Sequence, residues 1–522
     1  MAREPSMQAT RACALALCCA LACATPSAWA GGAGGGGANG STGGGGGGGQ
    51  GGGRGGNGGN HIPGDAGTGG TAGLPGQGGR GDSDSHGHPG VPGSLDGGAG
   101  GVANVVPEPP HAAGGTSSAG ADGHTVAVGR PGNGGGGGGG GADRTEDCAL
   151  AHGAPTQGHA GGAGGQVLTD GSGGGGGGGG AGLHIRANGT VCATSAQLTD
   201  TFMGGQGGWG GRGMQGNGGG GGGGGAGLYL AADGARIALN TWISGGTGGA
   251  GGQGDSESGD GGQGGTGIFV RGNDNAIAVH NTVSAGFGGY GGDAPSGGRA
   301  GLHGLSGAAA DIGGTGNMLV LASAGVRLQG GDTLLAGGNT LRGNGSVWTL
   351  RLDAGATVAP GLATSVGGID VLGTLHMPGG IFAVRIDATA HLSDRLAVTG
   401  PAEITGAHLQ MNRLAGTPAA GQVYTLLQAQ GGITGAFTLE LAPGTLPPGT
   451  QARLVHLADR VNLEIVAAGP APPGPGGVAP VPTLSSWGLA GLGMLLAGSA
   501  LLLRRYRTGR NCRNVPPASP CT

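Results

Sequence analysis

The chain has 522 residues, of which 145 are glycine, while only 3% are aromatic and 10% are charged. Glycine brings no side chain to a core and loses the most freedom on folding, so much of this chain cannot form an ordinary globular core. The net charge of −4 and the lack of a basic patch argue against nucleic-acid binding, and the lack of lysine excludes a Walker-type phosphate loop.

The N-terminal residues have the organisation of an export signal. Arg3 and Arg11 precede an apolar stretch at residues 12–24. Ala28 and Ala30 place small side chains at the two positions that a signal peptidase must accommodate. The apolar stretch is shorter than the ~20 residues that a membrane span needs. We therefore predict that residues 1–30 are a signal peptide, with signal peptidase and the export machinery as partners.

Residues 31–133 are rich in Gly, Asn, Ser and Pro. Adjacent apolar residues are rare there, so little surface is available for burial. This composition predicts a disordered, low-complexity N-terminal region.

An internal repeat occupies residues 134–315. Runs of eight glycines begin at Gly134, Gly173 and Gly218, and later units pair a short apolar strand with a second alternating segment. Such a unit cannot bury its apolar face alone, so successive units must stack. The repeat predicts an all-β fold, a right-handed parallel β-helix or related solenoid with long Gly-rich loops on one side.

An asparagine ladder would support stacking of these units. Asn240 and Asn281 are the evident candidates, but ungapped alignment of their strands places Asn240 opposite His280. The sequence therefore does not support a ladder at these positions.

Two cysteines, Cys148 and Cys192, lie between the predicted signal and the C-terminal tail. In an oxidising compartment they can form a disulfide with each other. Two free thiols remain the alternative, because sequence does not give their separation.

Residues 316–468 contain less glycine and more alternating strands, such as 347–352 and 382–386. The stretches 358–361 and 421–427, with the turns around them, resemble the distal passenger stem of autotransporter adhesins. That resemblance implies the end, or cap, of a β-helix.

The C-terminal part combines a Pro/Gly linker at 469–480, an apolar run at 489–503 and a basic tail. Trp487 precedes the apolar run, and arginines follow it immediately at positions 504, 505 and 507. An interfacial Trp and a cytoplasmic basic cluster are typical of a membrane segment. We predict one C-terminal transmembrane helix, with Arg504, Arg505 and Arg507 as its membrane stop.

The block that precedes this helix resembles the IPTL-CTERM sorting signal, a relative of PEP-CTERM. The residues that carry the resemblance are Val481, Pro482, Thr483, Leu484, Ser485, Trp487 and Gly488. Val481 replaces the usual Ile, and the basic, Cys-containing tail at 508–522 extends beyond the usual end of the signal. The resemblance covers 481–507 and implies an exosortase-like transpeptidase as partner, removal of the tail, and display on the envelope.

We find no catalytic constellation and no expected cofactor or metal. Asp255, Glu257 and Asp260 are candidates for weak calcium binding, but the regular ligand spacing of calcium repeats is absent. Asp387 and Asp394 stand near strand ends or turns, where Asp is common. We therefore expect a protein that is not an enzyme.

These patterns together predict an exported, envelope-anchored structural or adhesive surface protein of bacterial type. It would pass through the inner membrane and reach the cell surface or extracellular matrix, where extracellular polysaccharide or a host surface is the expected partner. The alternatives are a β-helical polysaccharide-active enzyme, which needs a groove of clustered Asp, Arg and His, and a disordered matrix component.

Overall fold

The computed structural model describes residues 156–166, 168, 172–192, 201–295 and 297–468. Within these residues the chain forms strands, turns and extended segments, and no helix. Neighbouring strands are mostly parallel and belong to one continuous sheet. The expectation of an all-β solenoid is confirmed in this coarse form.

The strands are short in the first part of the solenoid and longer in the second. In chain order they are β1 (Thr156–Gln157), β2 (Leu183–Ile185), β3 (Val191–Cys192), β4 (Phe202–Met203), β5 (Leu228–Leu230), β6 (Arg236–Leu239), β7 (Ile243–Ser244), β8 (Ile268–Val270), β9 (Ala276–Val279), β10 (Val283–Ser284), β11 (Ala310–Ile312), β12 (Met318–Leu335), β13 (Thr340–Leu352), β14 (Thr357–Pro360), β15 (Gly368–Val371), β16 (Leu375–His376), β17 (Ile381–Asp387), β18 (Leu392–Ser393), β19 (Arg395–Val398), β20 (Ala402–Glu403), β21 (His408–Ala415), β22 (Val423–Ala429), β23 (Ile433–Thr434), β24 (Thr438–Leu441), β25 (Thr450–His456) and β26 (Arg460–Ala467).

Each coil contributes strands to three parallel ladders, which we call faces A, B and C. Face A begins β2–β5–β8–β11, face B begins β3–β6–β9, and face C begins β1–β4–β7–β10. Strands β12 and β13 are long enough to join all three ladders in turn, with register shifts in β12 where it bends. In the coils that precede β12, the third strand, on face C, has only two residues, so each unit has three strands where the sequence pattern predicted two.

Alternation places one set of side chains inside the solenoid. Leu183 and Ile185 point inward on face A, and the same positions of β5 and β8 continue the row. These side chains are 0–1% exposed. A row of this kind forms a continuous apolar core along the axis, which a single coil could not bury alone.

Coil length divides the solenoid into two regions. Contacts between equivalent positions in the first coils are 45, 40 and 42 residues apart, in agreement with the sequence repeat. After Asn317 the equivalent separation falls to 22 residues. The extra residues of the long coils are the glycine-rich segments.

These segments form a two-layered slab beside the solenoid. In each coil an outgoing leg leaves face C and a returning leg leads to face A. The outgoing legs are residues 158–166, 204–212, 245–253 and 286–293, and the returning legs are 172–182, 217–227, 258–267 and 301–309.

Hydrogen bonds in the slab repeat every three residues. Gly204, Gly207 and Gly210 donate to Ser244, Thr247 and Ala250 in the next outgoing leg, at 2.8–2.9 Å. The residue after each donor bonds to the returning layer, as in Gly205 to Gly180 and Gly208 to Gly177, both at 2.7 Å. A three-residue period with bonds between segments, and none within the described legs, is that of polyproline-II helices.

In the inner legs of the slab, glycine is required at two of every three positions. A Cβ built on Gly208 would lie 1.9 Å from the carbonyl oxygen of Gly162, and one on Gly249 would lie 1.9 Å from that of Gly208. The backbones therefore approach more closely than any side chain allows. The loops predicted from the glycine runs are an ordered lattice in the described residues.

An asparagine ladder does exist, but it does not involve Asn240 or Asn281. Asn275 Nδ2 donates to Asn317 Oδ1 at 2.9 Å, and Asn339 Oδ1 accepts the backbone N–H of Asn317 at 2.9 Å. All three side chains are at most 1% exposed. Asn240 is opposite His280, as the alignment indicated.

The coils after Asn317, which we call the compact coils, end in antiparallel strands. β26 pairs antiparallel with both β22 and β25, so the antiparallel order β22–β26–β25 adds two strands to the edge of the last parallel coil. Val461, Leu463 and Ile465 of β26 are fully buried against the end of the core. The described residues contain no helix suited to crossing a membrane, and the predicted span at 489–503 lies outside them.

Candidate functional site: an aromatic groove beside the slab

A groove of about 890 Å³ runs along the corner where the outgoing legs leave face C. Its floor consists of outward side chains from face C, and its wall consists of the first outward side chains of the outgoing legs. The residues that line it are Gln157, Thr201, Met203, Gly204, Gln206, Trp242, Ile243, Ser244, Gly245, Gly246, Thr247, Ser284, Ala285, Gly286, Phe287, Arg327, Leu328, Gln329, Gly330, Ser346, Trp348 and Leu372.

The wall is positioned by the three-residue period of the slab. Two positions of each triplet are used for hydrogen bonds between legs, so the third faces away from the opposite layer. In successive coils the first such position holds Gln206, Thr247 and Phe287. Large side chains are tolerated there because they meet no neighbouring backbone.

Large aromatic side chains are exposed along this groove. Trp242 is 62% exposed, Phe287 70% and Trp348 51%. One triplet further out along the legs, Trp209 and Tyr290 are 70% and 75% exposed. The five residues come from four coils, with only Phe287 and Tyr290 on the same leg, so their spacing in sequence gave no signal and sequence reasoning missed them.

The rest of the lining is mainly amides, hydroxyls and backbone. Gln206, Gln329 and Ser284 stand among the rings, and Gln329 Nε2 donates to Ser284 Oγ at 3.3 Å. Arg327 is the one charged residue in this lining within the described chain. The groove therefore combines flat apolar rings, neutral hydrogen-bonding groups and a single cation.

Face A carries a second aromatic ladder, but this one is buried. The rings of His184 and Tyr229 stack at 4.4 Å between centroids, Tyr229 lies 5.4 Å from Phe269, and the Arg271 guanidinium lies 3.6 Å above the Phe269 ring. The three rings are 1–3% exposed. They stabilise the outside of face A, whereas the rings along the groove remain accessible.

The candidate calcium ligands are each bound to protein groups. The Asp255 carboxylate accepts the N–H of Gln215 at 2.8 Å, and Asp260 accepts the N–H of Leu302 at 2.7 Å. Glu257 forms an ion pair with Arg299 at 3.2 Å. Within the described residues no three His, Cys, Asp or Glu side chains gather at a spacing suited to a metal ion.

The most buried ion pair lies in the compact coils, away from the groove. Arg385 Nε donates to Asp394 Oδ2 at 2.8 Å, and the Asp394 side chain has no exposure. Burial raises the pKa of Asp394, while the hydrogen bond from Arg385 lowers it. Arg385 also donates to the carbonyls of Pro360, Leu362 and Ser365, so the pair fastens the loop after β14 and has a structural role.

Most sequence-predicted site residues lie outside the described part of the chain. These are Ala28, Ala30, Cys148, the sorting block at 481–488 and the arginines at 504, 505 and 507. Cys192 ends β3, and the proposed disulfide remains a prediction because its partner is not described.

Comparison with known proteins identifies one feature. An IPTL-CTERM motif matches residues 479–505. No curated protein matches the chain. The motif points to a protein that is exported and anchored at the cell surface.

Proposed function

We propose that this chain, which carries an IPTL-CTERM motif at residues 479–505, is an exported structural or adhesive protein of the bacterial envelope. An exosortase-like transpeptidase removes its tail after the sorting block, and the solenoid is then displayed outside the cell. The motif is the observation that carries the proposal. No ligand needs to react in this role, and we propose that the protein is not an enzyme.

The described fold supports a role in display. The solenoid buries a continuous core along its axis, and the slab extends from it with backbone hydrogen bonds that link every leg to its neighbours. This arrangement is well suited to holding side chains away from the core at fixed positions. The glycan-active alternative requires clustered carboxylates, whereas the groove lining in the described chain has Arg327 as its charged residue.

Mass spectrometry of envelope and medium fractions from the native host tests the sorting step. We expect the mature protein to end near Pro482-Thr483-Leu484, with no peptide from residues 504–522. A Thr483→Ala variant should retain those peptides, whereas Pro475→Ala, in the linker outside the matched residues, should be processed normally. An unprocessed wild-type protein that stays in the inner membrane would mean a simple tail anchor and would contradict surface display.

A further inference from the structure

The exposed rings of the groove have no evident role in folding. The chain contains only 5 Trp, 4 Tyr and 5 Phe, yet Trp242, Phe287 and Trp348 converge here and remain more than half exposed. Exposing large apolar surface forgoes the free energy of burial, and contiguous exposed patches usually mark binding sites. The groove is also within the ~300–1,000 Å³ range of ligand sites.

We infer that this groove binds an extended polysaccharide chain of linked hexopyranose rings. A pyranose ring presents C–H groups on its faces and hydroxyls around its rim. Its faces can therefore stack on aromatic rings while the hydroxyls exchange hydrogen bonds with neighbouring polar groups. Flat rings alternating with amides and hydroxyls are the complement of that pattern.

The polar lining favours a sugar over a lipid. Gln206, Thr247, Ser284, Gln329 and Ser346 lie between the aromatic rings. Apart from the bond between Gln329 and Ser284, an acyl chain would cover their polar groups without offering them hydrogen bonds, at a cost. Sugar hydroxyls can instead donate to or accept from each of them.

Charge adds a preference among polysaccharides. Arg327 is exposed and is the charged residue of the lining within the described chain. A guanidinium binds carboxylates with paired hydrogen bonds. We therefore expect uronic-acid polymers to bind more tightly than neutral ones.

The register of the strands on face C gives the groove a length suited to several sugar rings. Ile243, Val283, Leu328 and Val347 are successive neighbours on face C. Trp242 and Trp348 flank the two ends of this row, so about three strand spacings, roughly 14 Å, separate them along the axis. A short run of linked sugars can contact both indoles at once.

The test measures binding of full-length protein to immobilised polyuronate and to a neutral β-linked glucan, with tryptophan fluorescence as a second readout. We expect binding to both, tighter for the polyuronate, and a change in emission on binding. Trp242→Ala and Trp348→Ala should each weaken binding by about tenfold, as loss of one stacking contact implies. Arg327→Gln should weaken polyuronate binding and leave glucan binding unchanged.

Leu305→Ala is the matched control for Phe287→Ala, and only Phe287→Ala should weaken binding. Phe287 lies on the outgoing leg and Leu305 on the returning leg of the same coil. Both side chains are exposed, at 70% and 76%, but only Phe287 lines the groove. Equal binding by the tryptophan variants and wild type, or binding of neither polymer, would overturn the inference. The inference deepens the proposed adhesive role, but this binding assay does not depend on sorting, so the two can fail separately.

Discussion

The slab and the compact coils belong to one continuous sheet-based unit, yet they are stabilised in opposite ways. In the compact coils, buried Leu, Val, Ile and Phe side chains fill the interior, and backbone bonds follow from that packing. In the slab, stacked legs bring backbones together so closely that side chains are excluded from the contacts. We conclude that one region is sensitive to the removal of atoms and the other to their addition.

The strongest test in the compact coils is Arg385→Gln. It leaves the fully buried Asp394 without its cationic partner, and breaking a buried pair costs ~3–5 kcal/mol. The pKa of Asp394 is already raised by burial, and loss of Arg385 raises it further. A carboxyl whose pKa is raised on folding favours the folded state below its unfolded value near 3.8 and loses that effect as pH rises through the folded pKa.

The Arg385→Gln variant should therefore lose more stability at pH 7 than at pH 4, as thermal unfolding at the two pH values will show. Asp394→Asn in the same background should remove the difference. An equal loss of stability at both pH values would contradict a raised pKa of Asp394 in the variant.

The matching test in the slab adds one methyl group. In Gly249→Ala the new Cβ would lie 1.9 Å from the Gly208 carbonyl oxygen. Overpacking of this kind costs ~1–3 kcal/mol. Hydrogen exchange of the slab amides should accelerate while exchange in the compact coils is unchanged.

The neighbouring position supplies the control for the slab test. Ala250 already carries a methyl group and faces outward, so Ala250→Ser should have no measurable effect. A slab that tolerated Gly249→Ala equally well would show that its backbones do not pack as closely as described.

The remaining test is at the junction of the two regions, where the expected loss is comparable to that in the slab. Asn317 Nδ2 donates to the carbonyls of Gly272 and Gly313, both at 2.8 Å. Asn317→Ala leaves these buried acceptors without that donor, and it leaves the backbone N–H and Nδ2 of Asn275 without the Oδ1 that they donate to. Loss of these buried hydrogen bonds costs ~1–3 kcal/mol. Chemical denaturation measures the change in the free energy of unfolding. Asn273→Ala, at a half-buried position nearby, should cost less.

Some of this fold could be predicted from the sequence. Alternating apolar residues at 228–230 and 276–279, together with a repeat near 40 residues, predicted short strands and the stacking of successive units. The face C strands before β12 could not be predicted, because two residues such as Phe202 and Met203, directly before a glycine-rich leg, show no period. The ladder of Asn275, Asn317 and Asn339 was missed because the separation changes from 42 to 22 residues along it.

The slab had a signal that glycine content concealed. Residues 204–212 and 286–293 repeat two small residues followed by a larger one, which is the period of the lattice. The groove had no such signal, because its rings come together only through coils of unequal length.

The three-residue period also sets how this protein can change over generations. Two positions in each triplet of the inner legs are closed to substitutions that add a side chain, while the third position of the outgoing legs already holds Gln, Trp, Arg, Thr, Ala, Phe, Tyr and Asp. Mutation can therefore rewrite the chemistry of that surface one residue at a time without disturbing the layers beneath it. A lineage facing new surroundings would alter what the slab displays and keep how it is built.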